Sequence, residues 1–185
     1  MSTITATNSG TYSIVPAHSR VGFVARHAMI TKVRGAFNDI EGSGFFDAEQ
    51  PSLSTLNVTI QTTSVDTRNA DRDGHLRSDD FFAADTYPTL EYSSTTITPV
   101  DDSNFEVVGD LTIKGITRPV TLDLEMAGTA VDPWGNTRLG LEGSAVVNRK
   151  DWGLTWNTAL DAGGVMVGDK ITLEFEISAV KVTDE

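Results

Sequence analysis

The stretch ITLEFEIS, residues 171–178, sets the reading of the whole chain. Ile171, Leu173, Phe175 and Ile177 fall on one side of an extended backbone, and Thr172, Glu174, Glu176 and Ser178 fall on the other. Successive side chains of a strand point to opposite faces, so this segment has one dry face and one wet face. VTLDLEM at 120–126 repeats the pattern with Val120, Leu122, Leu124 and Met126 against Thr121, Asp123 and Glu125. LNVTIQ at 56–61 and FEVVGDLTI at 105–113 do the same, the latter through Phe105, Val107, Leu111 and Ile113. Buried parallel strands lack such alternation, so antiparallel sheet is expected.

Strands are expected near residues 11–16, 20–28, 32–47, 53–61, 89–99, 104–114, 118–131, 137–149 and 168–181, about eight once segments merge or bend. DDSN at 101–104 and DPWGN at 132–136 read as hairpin connections, and DAGG at 161–164 as a loop. Gly42 and Gly44 predict a bulge or sharp bend inside the 32–47 segment. The chain shows no repeat, low-complexity tract or linker, which predicts a single domain over residues 1–185. Many antiparallel strands in sequence suit a closed barrel or a sandwich, and closure removes unpaired edges. The expected fold is therefore all-β, a closed antiparallel β-barrel of about eight strands. A barrel of that size either packs solid or holds one small ligand, and periodicity leaves both open.

Composition narrows the functions. With 39% hydrophobic residues the chain has the means for a real core, and no apolar run reaches the roughly 18–20 residues of a spanning helix. The 14 basic and 26 acidic residues give a net charge of −12. That sign argues against a nucleic-acid partner, which needs a basic footprint, and against docking on an anionic membrane, so no nucleic-acid partner and no stable membrane insertion are expected. A homodimer is compatible with it. The N-terminal MSTITATNSGTYSIV has no basic region and no apolar stretch of signal-peptide length. This predicts a cytoplasmic location if Met1 is the native start, and a periplasmic or secreted one if the chain was trimmed. With no cysteine, disulfides and thiolate metal sites are excluded.

RNADRDGHLRSDDFFAADTYP at 68–88 interrupts the alternation. Asn69 or Thr67 suits the N-cap of one short helix, Ser78 that of a second with Asp79 and Asp80 in its first turn, and Pro88 ends the insert. Leu76, Phe81 and Phe82 would form an apolar lid over one barrel mouth. Adjacent helical residues diverge by about 100°, so one phenylalanine should face the cavity and the other the wall. Asp71, Asp73 and His75 do not match a calcium loop: glycine arrives at its fourth position and Phe82 at its twelfth. His18, His27 and His75 lack zinc spacing. No nucleophile elbow, phosphate loop or dinucleotide fingerprint is present. No metal site and no catalytic residue is therefore assigned, and His75 is expected to make a structural hydrogen bond.

Four blocks in order carry a resemblance: HSRVGFVARHAMITKVRGAFNDIEGSGFFD at 18–47, RDGHLRSDDFFAADTYPTLEYSS at 72–94, GDLTIKGITRPVTL at 109–122 and NRKDWGLTW at 148–156. Through them the chain resembles the YceI-like family of polyisoprenoid-binding proteins. Val15 stands before Pro16 where relatives often have Asp, a departure that bears on a local turn. The resemblance implies a lipocalin-like barrel with a helix and loop at one end. It also implies a bound polyisoprenoid lipid, such as a polyprenyl quinone or alcohol, in place of any catalytic cofactor.

Candidate ligand contacts follow from the apolar strand phases and the insert. Phe23, Val58, Tyr92, Val107, Leu122 and Phe175 should point inward, with Phe37 and Phe45 from the 32–47 segment. Trp152, Leu154 and Trp156 alternate as on a strand and should line one cavity end, with Asn148 and Arg149 fixing backbone or ion-pair geometry. Leu76, Phe81 and Phe82 complete the set. The expected function is binding of a long isoprenoid as carrier, storage or sequestration protein. The alternatives are a solid-core stress or interaction protein, or an enzyme acting on a buried apolar substrate.

Overall fold

The computed structural model describes residues 8–28, 30–157 and 166–182. The DAGG loop at 161–164 lies outside these. Eleven strands form one sheet. They are β1 (Gly10–Ile14), β2 (Arg20–His27), β3 (Thr31–Phe37), β4 (Ile40–Phe46), β5 (Thr55–Gln61), β6 (Val65–Asp66), β7 (Thr89–Pro99), β8 (Asn104–Ile113), β9 (Ile116–Val131), β10 (Thr137–Asn148) and β11 (Lys170–Lys181). One α-helix, α1 (Ala70–Arg77), sits between β6 and β7.

Eight of these strands close a ring, β1-β4-β5-β7-β8-β9-β10-β11, sealed by the β1–β11 pairing of Ile14 with Ala179 and Tyr12 with Lys181. Every pairing is antiparallel, as the alternation requires. Short turns hold the meander from β7 to β10. Residues 100–103 and 132–136 connect as the sequence predicted, and Lys114 (φ 52°) and Gly115 (φ 74°) join β8 to β9 in the doubly left-handed turn that matches strand twist.

The ring is not uniform along its axis. At the end holding the 100–103 and 132–136 turns, here the turn end, the β1–β4, β1–β11, β7–β8, β9–β10 and β10–β11 ladders stay paired, while β5 and β7 part beyond Asn57 and Ser93, where the Leu56 N–H donates to the Ser94 hydroxyl. At the other, lid end, the sheet splits twice. The N-terminal half of β11 leaves β1 and pairs with β2, extending through β3 to β6. The last residues of β10 leave β9, whose paired residues end at Asp123 on that side. Pro119 is tolerated there because its missing N–H faces no ladder.

The single 32–47 strand is overturned. It divides at Asn38–Asp39 into β3 and β4, which have no neighbour in common: β3 joins β2 and β6, β4 joins β1 and β5. The expected bulge at Gly42 and Gly44 is also absent, since both lie in a regular ladder opposite Val58 and Leu56. Their glycines answer a close approach instead; a Cβ at Gly42 would stand 2.5 Å from the Asn57 carbonyl oxygen. The register shifts fall elsewhere, near Thr95 in β7 and near Gly140 in β10.

Candidate functional site

The charged insert is a fastener. Asn69 caps α1 by accepting from the Arg72 N–H at 3.0 Å, as its side chain predicts. Asp73 is buried and accepts from both the N–H (2.8 Å) and the hydroxyl (2.6 Å) of Thr67. Arg72 donates to the Thr67 hydroxyl and carbonyl at 2.7 and 2.6 Å, and Arg77 donates to the carbonyls of Thr63 and Val65. These bonds tie the helix to the segment that enters it.

Ser78 starts no second helix. It closes α1, its N–H and hydroxyl both donating to the His75 carbonyl, and residues 79–87 form successive turns through a left-handed Ala83 (φ 48°). Ser78 back-bonding satisfies the helix end locally, and its hydroxyl also accepts from the Asp80 N–H at 3.4 Å, so it caps a turn where the sequence suggested a helix. Phe81 and Phe82 therefore diverge from turns. Phe81 is buried beside His75 and Trp156, with ring centroids 5.0 and 5.5 Å away. Phe82 is partly buried with its ring 5.8 Å from Phe37, which lies 5.7 Å from Phe23. His75 Nε2 donates to Asp80 Oδ2 at 2.9 Å. Among the described residues no group of three or more His, Asp or Glu is placed to hold a metal ion.

The second split is filled by residues 149–156. The expected strand there is overturned: Arg149–Trp152 is a 3₁₀ turn ended by Gly153 at φ 75°. Trp152 is buried and donates its indole N–H to the Leu111 carbonyl at 2.9 Å. Arg149, 5% exposed, donates to the carbonyls of Leu154, Trp156, Val167 and Gly168 and stands 3.5 Å from Asp169. Burial lowers its pKa while Asp169 opposes that shift. A strand cannot satisfy four carbonyls from one side chain; a turn wrapped around a guanidinium does. Asn148 accepts from the Lys150 N–H, holding the first bend.

Inside the ring the apolar residues form two buried clusters. The larger joins strands β7 to β10 with the lid and includes Phe81, Tyr92, Val107, Leu122, Trp152 and Leu154. The smaller includes Ile14, Phe37, Ile40, Ile60, Leu90 and Ile177. Six side chains touch both clusters and stay only partly buried: Leu141, Phe175, Val58, Ile113, Leu76 and Phe82. They form a seam running from the turn end to the lid. Phe175 fits because Gly143 opposes it, where a Cβ would meet its ring at 2.4 Å.

At the turn end the seam opens into a cavity of about 70 Å³, walled by Tyr12, Phe46, Ile97, Phe105, Leu124 and Met126 among others. Phe45 borders it but is 41% exposed, whereas its neighbour Phe46 is 9% exposed. The inward assignment of Phe45 is thus overturned; alternation in β4 gives that place to Phe46. Of the sequence-selected set, Val58, Leu76, Phe82 and Phe175 lie on the seam. Phe23 and Trp156 are partly buried against one cluster each. Tyr12 and the two seam residues Ile113 and Leu141 were missed as contacts, although Ile113 stood on an apolar phase. Tyr92 is locked in the wall: its hydroxyl donates to the Val120 carbonyl at 3.1 Å, and burial, then the Asp110 charge, push its pKa up.

The family model described as YceI-like domain matches residues 12–179. A UPF0312 protein of Pseudomonas aeruginosa is 42% identical over 137 residues, covering 74% of this chain and 71% of that protein. Protein YceI of Escherichia coli O157:H7 is 40% identical over the same length and shares. The crystal structure of a Campylobacter jejuni YceI protein superimposes with TM-score 0.75 at 30% identity, covering 85% of this chain and 90% of that one. A polyisoprenoid binding domain from Saccharophagus degradans shares the fold, with TM-score 0.71 at 16% identity over 92% of this chain and 98% of that one.

Proposed function

The chain belongs to the YceI-like family, and on that premise we propose that its barrel binds a long apolar lipid of the polyprenyl quinone or polyprenyl alcohol class. The observation that carries the reading is the seam: six side chains left partly buried between two buried clusters, ending in a predominantly apolar pocket. Close-packed cores bury mid-barrel side chains fully, so the seam is the line along which the interior parts most easily. A flexible hydrocarbon chain laid along it would replace side-chain contacts with its own. Hydrophobic burial is non-directional, so the chain is selected by length and width. The fold neighbour described as polyisoprenoid binding accords with this reading. A carrier, storage or sequestration role all follow from reversible enclosure.

The cavity's size favours a second reading. At about 70 Å³ it is about half of the ~150 Å³ that accepts one benzene, so the closed barrel holds no polyisoprenoid without parting along the seam. A barrel that never parts is a solid-core interaction protein. Organic extraction of purified protein, followed by mass spectrometry, separates the two, together with uptake of added polyprenyl quinone. Lipid binding predicts a co-purified or absorbed isoprenoid and its loss in Leu141→Trp, which fills the seam at a stability cost of about 1–3 kcal/mol. Clean extracts, no uptake by the wild type, or wild-type uptake by a folded Leu141→Trp protein would defeat it.

A further inference from the structure

The net charge of −12 conceals a local reversal. From Arg20 to Phe37, the β2–β3 hairpin and its approach, the chain carries Arg20, Arg26, Lys32 and Arg34 and no acidic residue. Register places most of this charge on one face. Arg26 is directly opposite Lys32, and Arg34 is opposite Val24, which is itself opposite Thr172 of β11. Opposed residues share a face, and so do residues two apart along a strand. Lys170 therefore joins Arg26, Lys32 and Arg34 on the outer side of the sheet. All four are exposed, and among the described residues none of them is in an ion pair. At the hairpin tip Ile30 is 78% exposed. Beyond Ala36 and Phe37, β3 pairs with no further strand among the described residues. The hairpin thus presents a free edge beside the lid.

The acids of this outer face lie mostly at its opposite end; the exception is Asp66, opposite Ala36, whose carboxylate accepts from Asn38 and the Arg68 N–H. Glu125, Glu142 and Glu176 stand directly opposite one another across β9, β10 and β11. On β11 the face runs Lys170, Thr172, Glu174, Glu176. Glu174, the first of these acids, stands four positions from Lys170, about 13 Å along a strand, and Glu176 six positions, about 20 Å. At physiological salt the screening length is about 8 Å, so a flat charged surface touching the hairpin feels the cations and little of the acids.

We propose that the tip and outer face of the β2–β3 hairpin dock the protein on an anionic lipid bilayer, with Ile30 entering the headgroup layer. Charge complementarity selects the occupant, and one exposed aliphatic tip flanked by cations suits a reversible peripheral contact rather than insertion. The docked pose turns the acidic turn end to water. It brings Phe23 and Phe37, on the inner side of the same hairpin, next to the bilayer. The use of this contact, exchange of lipid with the membrane, rests on the lipid-binding reading above; the docking itself rests on the cations and the exposed Ile30.

Sedimentation of the full chain with phosphatidylglycerol–phosphatidylcholine vesicles, against pure phosphatidylcholine vesicles, tests it. The wild type should bind the anionic vesicles at about 0.02 M salt and release them at about 0.5 M. Each cation removed should weaken partitioning roughly fivefold, so Arg26→Gln/Lys32→Gln/Arg34→Gln should lose about a hundredfold. Should that triple variant unfold, Lys32→Gln alone should show its fivefold loss. In Ile30→Trp the indole fluorescence should shift to the blue on anionic vesicles only. No binding to anionic vesicles, equal binding to neutral ones, an unshifted indole, or wild-type binding by a folded neutralised variant overturns the proposal. Quinone uptake from detergent micelles is measured separately. Its failure beside intact docking would sink the lipid-binding reading and leave the docking surface standing.

Discussion

At the lid end of the barrel, polar side chains are spent on backbone. Asp73, Arg72, Arg77 and Arg149 satisfy the main-chain groups that two splits in the sheet leave unpaired, and Trp152 bonds a ladder carbonyl from inside. At the turn end most ladders stay paired, the parting of β5 from β7 is bridged by the Ser94 hydroxyl, and the wall is apolar around a small void. The contrast concerns where order comes from. An open sheet must be fastened by side chains of defined geometry, and those side chains make up the charged and tryptophan-bearing blocks through which the chain resembles its family. A ladder that stays paired needs fewer such devices, confined to its turns and its one parting, so its lining is free to be soft. Conspicuous sequence therefore marks the rigid end, and the plainest sequence lines the space.

The largest effect that sharpens this contrast is expected at Arg149. Arg149→Ala leaves four carbonyls without their donor and Asp169 with Lys150 alone, and should destabilise by about 3–5 kcal/mol, read from denaturant unfolding. A loss below about 1 kcal/mol would mean that the lid end is not held by this guanidinium.

A paired substitution compares the ends directly. Phe81→Ala removes a buried ring from the fastened lid and should cost about 3–5 kcal/mol. Met126→Ala, at the cavity, should cost about 2–3 kcal/mol, because a flexible side chain beside an existing void leaves neighbours room to relax. The enlarged cavity should keep or tighten polyprenyl quinone binding. If Met126→Ala costs more than Phe81→Ala, the turn end is the more tightly packed one and the comparison is reversed.

The smallest effect is expected at His75. Its bond to Asp80 is half exposed, and its ring contacts Trp156 at 4.5 Å and Phe81 at 5.0 Å. His75→Ala should cost about 1–2 kcal/mol and leave quinone uptake unchanged. Abolished uptake in a folded variant would move this histidine from the lid's frame into the binding path.

Much of this was open to reading from single segments. Alternation located β5, β7, β8, β9 and β11 within a few residues, Asn69 announced the helix start, and two turn motifs marked their hairpins. The failures share a cause. Trp152 and Trp156 keep a spacing of four, and so does an interval broken by a turn; only Arg149's four carbonyl partners show that the segment bends. Phe45 and Phe46 are adjacent aromatics; Ile40 is in phase with Phe46 and the polar Glu41 and Ser43 with Phe45, but two glycines in the inward phase leave that alternation faint. Gly42 and Gly44 look like breaks in a strand, yet they mark where neighbouring backbone comes close.

What the sequence by itself determined is period and propensity, because both arise between residues a few positions apart: antiparallel strands, one short helix, a water-facing acidic surface and an apolar interior. What only the tertiary structure decided is adjacency. That β3 and β4 part company, that Leu141 and Val58 both border the same two clusters, and that four cations gather on one face of an acidic protein all depend on contacts between distant segments. Such contacts form only when the ring closes, and ring closure is set by the summed packing of the whole chain, to which no local pattern holds the key.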